Sequence, residues 1–293
     1  MKITVLIISY KSVDKLTDCI NHIGINKKIL VIENSDDHLL KNKIEKKYKN
    51  CTVILNNSNL GYSKASNIGF ENINTEYALL LNTDIVINEE QINKIEEEVI
   101  NLEDDFSFAS PLSDDLIDFN KNNKVDPYFS KEIIDFNKNN NLTRVDLVKG
   151  CSLLVNLKKF KNKKVFDDNF FFFFEEIDLC RKIKENNEKV YVFNQIKIEH
   201  KSAQSLSEIY NKSYDNFRNW NYFWSRFYYF KKHYGLIYAL SKHVSKLFRF
   251  FFNMLRYYFF SKQLFEKNKY RFLGLISSIT GKKSSTSSKI LDK

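Results

Sequence analysis

An apolar run from Ala78 to Leu81 breaks at Asn82-Thr83-Asp84 and resumes at Ile85. Four to eight apolar residues ending in a polar tip suit a strand buried on both faces of a parallel sheet. Ligands of open α/β sheets sit beyond the carboxyl ends of such strands. A carboxylate at that tip can hold a hard divalent cation, and the cation can hold a diphosphate. Asn and Asp also favour plain turns, so the tip alone does not separate a site from a turn.

The preceding residues repeat a strand–helix alternation. ITVLIIS (3–9), KILVIE (28–33) and CTVIL (51–55) read as strands. Helical patterns follow at about 12–23, with Ser12 as N-cap, then up to about Tyr48, and at 63–71. Such alternation implies right-handed crossovers and a parallel sheet. The first turn is SYKSVD, with no glycine before Gly24. Neither G-x-G-x-x-G nor a P-loop is present, so phosphate is not cradled there. The carboxylate after the fourth strand becomes the candidate anchor.

Residues 101–145 are polar and Asn-rich and read as variable loops with a short strand near 106–109. VDLVKGCSLLV (145–155) reads as a strand with Gly150 at a close backbone approach. Five phenylalanines, Phe170 to Phe174, lead into EEIDLC, which starts a helix. KVYVFNQIKIEH (189–200) reads as a strand or hairpin ending in His200. From about Leu206 to Ser278 the chain is helical, aromatic and basic. Its last dozen residues read as a frayed tail.

Charge and cysteine content narrow the classes. The chain has 293 residues and a net charge of +10. From Ser205 onward 17 Lys and Arg face 4 Asp and Glu, so the earlier part is close to neutral. A basic aromatic pattern suits helices lying in a membrane interface, or helices packed on the first domain or a second subunit. No nucleic-acid module accompanies the charge. Cys19, Cys51, Cys151 and Cys180 form neither a zinc motif nor a disulfide framework, which suits a reducing compartment. No signal peptide pattern and no spanning apolar run are evident.

Five segments in order, VLIISYKS, VIENSD, NLGYSKASNIGF, LLLNTDIVI and FFFFFEEIDLC followed by IEH, resemble a family 2 glycosyltransferase of the bacterial rhamnosyltransferase-like branch. The resemblance implies an α/β GT-A fold, a mixed sheet with helices on both faces, plus a C-terminal amphipathic helical extension. Expected domains are 1–205 for transfer, 206–280 for membrane association and 281–293 as a flexible tail. The resemblance places Ser9, Tyr10, Glu33, Asn34 and Ser35 at the base and ribose. It places Asn59, Leu60 and Gly61 over the nucleotide, with Asn67 opening the helix behind. Asn82 and Asp84 match the D-x-D metal motif, Asp84 being its main carboxylate. Glu176 takes the place of the catalytic base, with Glu175 beside it, and His200 reaches the metal or diphosphate. Glu33 and Glu176 stand where the family usually has Asp, and the usual Gly-Gly before the aromatic run is missing.

The implied activity is inverting transfer of a rhamnose-like sugar from a nucleotide-diphosphate donor to a hydroxyl of a lipid-linked or glycan acceptor. The implied cofactor is Mg²⁺ or Mn²⁺. The implied location is the cytoplasmic face of the cell membrane, with an oligomer left open. The competing readings are a catalytically inactive membrane scaffold and, on charge alone, a nucleic-acid-binding protein.

Overall fold

The computed structural model describes residues 2–102, 106–114, 116–117, 126–129, 140–200 and 211–291. Much of the expected loop region, and the expected helix start near Leu206, lie outside the described residues. The chain divides into two compact units. One holds residues 1–59, 64–167 and 176–205; the other holds 60–63, 168–175 and 206–293.

The first unit is built on an eight-stranded sheet. In chain order its strands are β1 (Ile3–Ser9), β2 (Ile29–Glu33), β3 (Cys51–Leu55), β4 (Tyr77–Asn82), β6 (Phe108–Leu112), β7 (Leu142–Val145), β8 (Ser152–Asn156) and β9 (Val190–Lys197). Their spatial order is β3-β2-β1-β4-β8-β6-β9-β7. β1 to β4 pair in parallel, so Ser9, Glu33, Leu55 and Asn82 finish at one edge. β8 runs antiparallel to β4 and β6, so the sheet is mixed. A two-residue strand, β5 (Ile85–Val86), pairs antiparallel with β10 (Glu199–His200).

Side-chain alternation explains the layers. Ile3, Val5 and Ile7 point one way, onto a core shared with Leu16, Cys19, Ile20 and Ile23 of α1 (Val13–Ile23). Leu40 and Ile44 of α2 (His38–Lys47) join that core, as do Ile92, Ile95 and Val99 of α4 (Glu89–Asn101). Leu6 points the other way, onto α3 (Tyr62–Glu71), where a Cβ on Gly69 would stand 2.4 Å from its Cδ1. Helices therefore cover both faces, as a sheet with apolar residues on each side requires.

Two expectations change here. The run 145–155 is not one strand: it divides into the end of β7, a turn, and β8. Gly150 approaches a side chain rather than backbone, since its Cβ position lies 3.4 Å from the Glu176 Cβ. Ser12 stands at the N-cap of α1 but makes no capping bond; its Oγ lies 3.3 Å from the Ser9 Oγ.

The second unit contains α6 (Asn211–Tyr234), α7 (Leu236–Tyr257) and α8 (Lys262–Ile279), with a 3-10 turn at Ser284–Ile290. The aromatic residues of α6 are core: Phe217, Trp220, Trp224, Phe227 and Phe230 are buried. This corrects the reading of that stretch as an interfacial helix. Gly274 of α8 lies so close to α6 that a Cβ would stand 2.2 Å from the Trp220 carbonyl oxygen. The expected frayed tail is instead docked. The Ser287 hydroxyl donates to Asn221 Oδ1 at 3.1 Å, Ser284 Oγ donates to the Asn169 carbonyl, and the Lys282 carbonyl accepts the Trp224 indole N–H. Small hydroxyls gave no apolar signal, yet each supplies a hydrogen bond that holds the turn.

Candidate active site

The carboxyl ends of β1 and β2 carry a network of polar groups. Ser9 ends β1 opposite Glu33, and its carbonyl accepts the Asn34 N–H at 2.8 Å. Glu33 is fully buried. Its Oε1 accepts the Lys11 N–H at 3.0 Å and the Ser35 hydroxyl at 2.5 Å, while Oε2 has no hydrogen-bond partner. A buried carboxylate oxygen without a donor is costly unless a ligand supplies one. Asn34 donates to Asn59 Oδ1 and accepts from Asn56, so three amides brace this edge. Tyr10 follows Ser9, half-buried. Lys11 and Asn56, not singled out in the sequence, owe their place here to backbone contacts that no motif announces.

Two of the expected binding residues also hold the scaffold, and the helix position of one differs from that expected. Asn67 lies in the middle of α3. Its amide donates to the Phe166 carbonyl and accepts the N–H groups of Val165 and Phe166. That commitment makes it a brace for the 165–166 segment. Gly61 has φ of +84°, and a Cβ there would stand 2.7 Å from both the Phe171 ring and its carbonyl oxygen. Only glycine fits that position without displacing the phenylalanine run.

At the end of β4, Asn82 donates its N–H to the Cys151 carbonyl at 3.1 Å. Asp84 follows two residues later and is buried. The β5–β10 ladder sets His200 opposite Ile85, and this brings His200 Nε2 to 3.4 Å from Asp84 Oδ1. At that length the contact is an ion-pair approach rather than a good hydrogen bond, and Oδ1 has no hydrogen-bond partner. The Asp84 charge is felt nearby: burial first, and this charge second, push the Cys19 thiol up to about 12. Lys15, Asp18 and His22 join Asp84 around a cavity of about 140 Å³.

One carboxylate oxygen and one imidazole nitrogen fit a hard divalent cation. Such ions often take one or two protein ligands and complete their shell with phosphate oxygens and water. Among the described residues no cluster of three or more acidic, His or Cys side chains offers an all-protein cage.

Glu175 and Glu176 open α5 (Glu175–Glu185). Glu176 stands against Gly150, which precedes Cys151, the residue bonded to Asn82. The metal-motif tip and the acidic helix start are thus linked through one turn, at one end of the sheet. Glu176 keeps part of its surface open, but its Oε2 is buried with no hydrogen-bond partner. Burial raises its pKa above the usual carboxylate range, against its own N–H, the Lys149 charge and the Ile177 N–H. A raised pKa is what a proton acceptor at neutral pH needs. Glu175, the first residue of the helix, is itself buried.

The phenylalanine run that precedes this helix is tightly held within the second unit. Phe173 and Phe174 both adopt left-handed φ, +69° and +71°. Such conformations cost on the order of 1–3 kcal/mol each and persist only where the surroundings fix them. The Ser225 hydroxyl donates to the Phe172 carbonyl, and the Tyr222 ring meets both Phe173 and Phe174 edge-on. A cleft of about 720 Å³ in the same unit is lined by Phe173, Arg218, Tyr222 and Arg271.

Comparison with known proteins identifies the family and the fold. The model of the family described as glycosyl transferase family 2 matches residues 4–154. A low-salt glycan biosynthesis hexosyltransferase, Agl10 of Haloferax volcanii, is 24% identical over 195 residues. That match covers 63% of this chain, and the chain spans 62% of the length of that relative. Among solved structures, the mannosyltransferase PcManGT of Pyrobaculum calidifontis, in complex with GDP-Man and Mn²⁺, superposes with a TM-score of 0.56 at 9% identity. The match covers 96% of this chain and 88% of that one. S. aureus TarS 1–349 with UDP gives 0.51 at 16% identity, covering 96% and 92%. GalNAc-T7 with UDP, GalNAc and Mn²⁺ gives 0.51 at 11%, covering 75% of this chain and 51% of that one. These likenesses establish a mixed α/β sheet of GT-A type with a C-terminal helical region; none bears on the rhamnosyltransferase branch. The chain belongs to glycosyl transferase family 2.

Proposed function

We propose that the chain is a metal-assisted, inverting glycosyltransferase that moves a hexose-type sugar from a nucleotide diphosphate to an acceptor hydroxyl. The observation that carries this is the buried Asp84 Oδ1, without a hydrogen-bond partner and facing His200 at 3.4 Å. Asp84 and His200 would hold Mg²⁺ or Mn²⁺. A bound ion supplies positive charge, as a Lewis acid, to the departing diphosphate. Structural neighbours solved with Mn²⁺ and UDP or GDP-Man support this choice of ion and donor.

The residues divide the remaining work. Ser9, Tyr10, Asn34, Ser35 and Asn59 shape the edge that takes the base and ribose. Glu33 Oε2 accepts an N–H from the base, satisfying its vacant site. Asn82 flanks the diphosphate. Glu176 accepts the proton of the acceptor hydroxyl as that oxygen attacks the anomeric carbon, with Glu175 beside it. A single displacement with one base inverts the anomeric centre. Within the second unit, the cleft lined by Phe173, Tyr222, Arg218 and Arg271 suits a sugar face or an anionic group. We assign a rhamnose-like donor, a lipid-linked or glycan acceptor in cell-surface polysaccharide synthesis, and a peripheral position on the cytoplasmic membrane face.

A thermal-shift screen of UDP, GDP and dTDP with and without Mn²⁺ tests the donor site. A ligand that binds only the folded state raises the melting temperature. The expected result is a nucleotide shift that needs Mn²⁺ and vanishes in Asp84→Asn. A shift unaffected by Mn²⁺ and by Asp84→Asn sinks the metal assignment. Hydrolysis of the matching donor sugar then separates an enzyme from an inactive scaffold.

A further inference from the structure

In the second unit, α7 buries one side and leaves the other bare. Ala239, His243 and Phe250 face the unit's interior. On the opposite side Ile237, Val244, Phe248, Phe251, Phe252 and Leu255 are exposed. At 100° per residue these six fall on a single stripe along a helix about 33 Å long. Phe248, Phe252 and Leu255 keep 58%, 62% and 57% of their surface open. Phe259 and Phe260 extend the patch past the helix end, at 84% and 82%. Contiguous exposed apolar surface on this scale marks an interaction site.

Charge decides the occupant. Lys242, Arg249 and Arg256 recur every seven residues, so they form one basic row beside the stripe. The helix carries no Asp or Glu. Other cations stand close to this row. Burial, then the charges of Arg226, Arg249 and Lys242, lower the Lys246 pKa, and burial followed by Arg249 lowers that of Arg271. A second copy of this helix would bring more cations and no carboxylate. An anionic headgroup layer supplies both an apolar phase for the stripe and counter-charge for the row.

We propose that α7 is a membrane-docking helix that lies in the plane of an anionic bilayer, its apolar stripe at the headgroup–acyl boundary and its basic row among the phosphates. Its four Lys and Arg residues suit a helix that lies on the surface rather than one that crosses. Among the described residues, no helix is long and apolar enough to cross a membrane. The proposal names the surface that would carry the peripheral location proposed above. Its test needs no turnover, so it can fail while the sugar-transfer reading stands.

The test is flotation of the full chain with vesicles of phosphatidylcholine, alone or mixed with phosphatidylglycerol. The expected result is recovery with the phosphatidylglycerol vesicles only, falling as salt rises. Each basic residue near such a surface is worth about fivefold in partitioning. Lys242→Glu with Arg249→Glu should therefore lower recovery at least about tenfold. Phe248→Ser with Phe252→Ser should do the same, with the melting temperature of both variants unchanged. Failure of the wild-type chain to float, or equal recovery of both variants, overturns the proposal. So does a dimer in light scattering that Phe248→Ser with Phe252→Ser converts to a monomer.

Discussion

The two units depart from the ordinary rules of folded proteins in different places. In the sheet unit the anomalies are buried: Glu33, Asp84 and Glu176 each hold a carboxylate oxygen inside without a hydrogen-bond partner. In the helical unit much of the interior polarity is paired, as the Ser287–Asn221 and Ser284–Asn169 bonds show. Arg226 Nε and His243 Nε2 are buried there without a hydrogen-bond partner, but the larger departure is outside, in the bare stripe of α7. An unpaired buried oxygen calls for a small ligand that brings a proton or a cation. A bare apolar face calls for a surface. On the functions proposed above, the contrast separates chemistry from attachment within one chain.

The largest effect that could break this contrast is on turnover. Glu176→Gln keeps the shape and removes the proton acceptor, so kcat should fall about 10²–10⁴-fold, the usual worth of a general base. Donor binding, read by thermal shift, should persist. If kcat survives, the buried carboxylates are not the chemical centre. A stability experiment comes next. Gly274→Leu drives a side chain into the Trp220 carbonyl and should cost roughly 1–3 kcal/mol by overpacking, measured by urea denaturation.

The same Glu176→Gln change should also stabilise the fold. A folded pKa raised above the unfolded value means the ionised form is disfavoured in the folded chain. The stabilising balance is present at low pH and lost as pH rises through the folded value. At neutral pH the neutral amide escapes that loss, so the melting temperature should rise by roughly a few degrees. No rise would show that Oε2 is better solvated than its burial implies. The smallest effect concerns Lys149, whose charge lowers the Glu176 pKa. Lys149→Met should move the acid limb of the pH–kcat profile to higher pH; a shift to lower pH reverses the assignment.

The parallel half of the sheet is plain in the sequence because its strands are short, apolar on both faces and separated by polar helices. Ile3–Ser9 and Cys51–Leu55 fall on the expected residues. The antiparallel half is not, because nothing in VDLVKGCSLLV says where the chain reverses; pairing of β8 with β4 decides it. Asp84, Glu176 and His200 could be singled out by motif order. The unsatisfied Oε2 of Glu33 could not, since hydrogen-bond vacancy is a property of three dimensions. Aromatic content alone could not distinguish α6, whose rings fill a core, from α7, whose rings face outward. Both read as basic and aromatic in one dimension.

The phenylalanine run shows how little a letter specifies. Phe170 meets Tyr228 edge-on, Phe171 blocks any side chain at position 61, Phe172 takes the Ser225 hydroxyl, and Phe173 and Phe174 turn left-handed. Five copies of one amino acid hold non-interchangeable places. Losing a single one would barely alter composition, but it would move a neighbour into a place shaped for another ring. The repeat therefore acts as a ruler, and its length, no less than its chemistry, sets how the second unit packs around it.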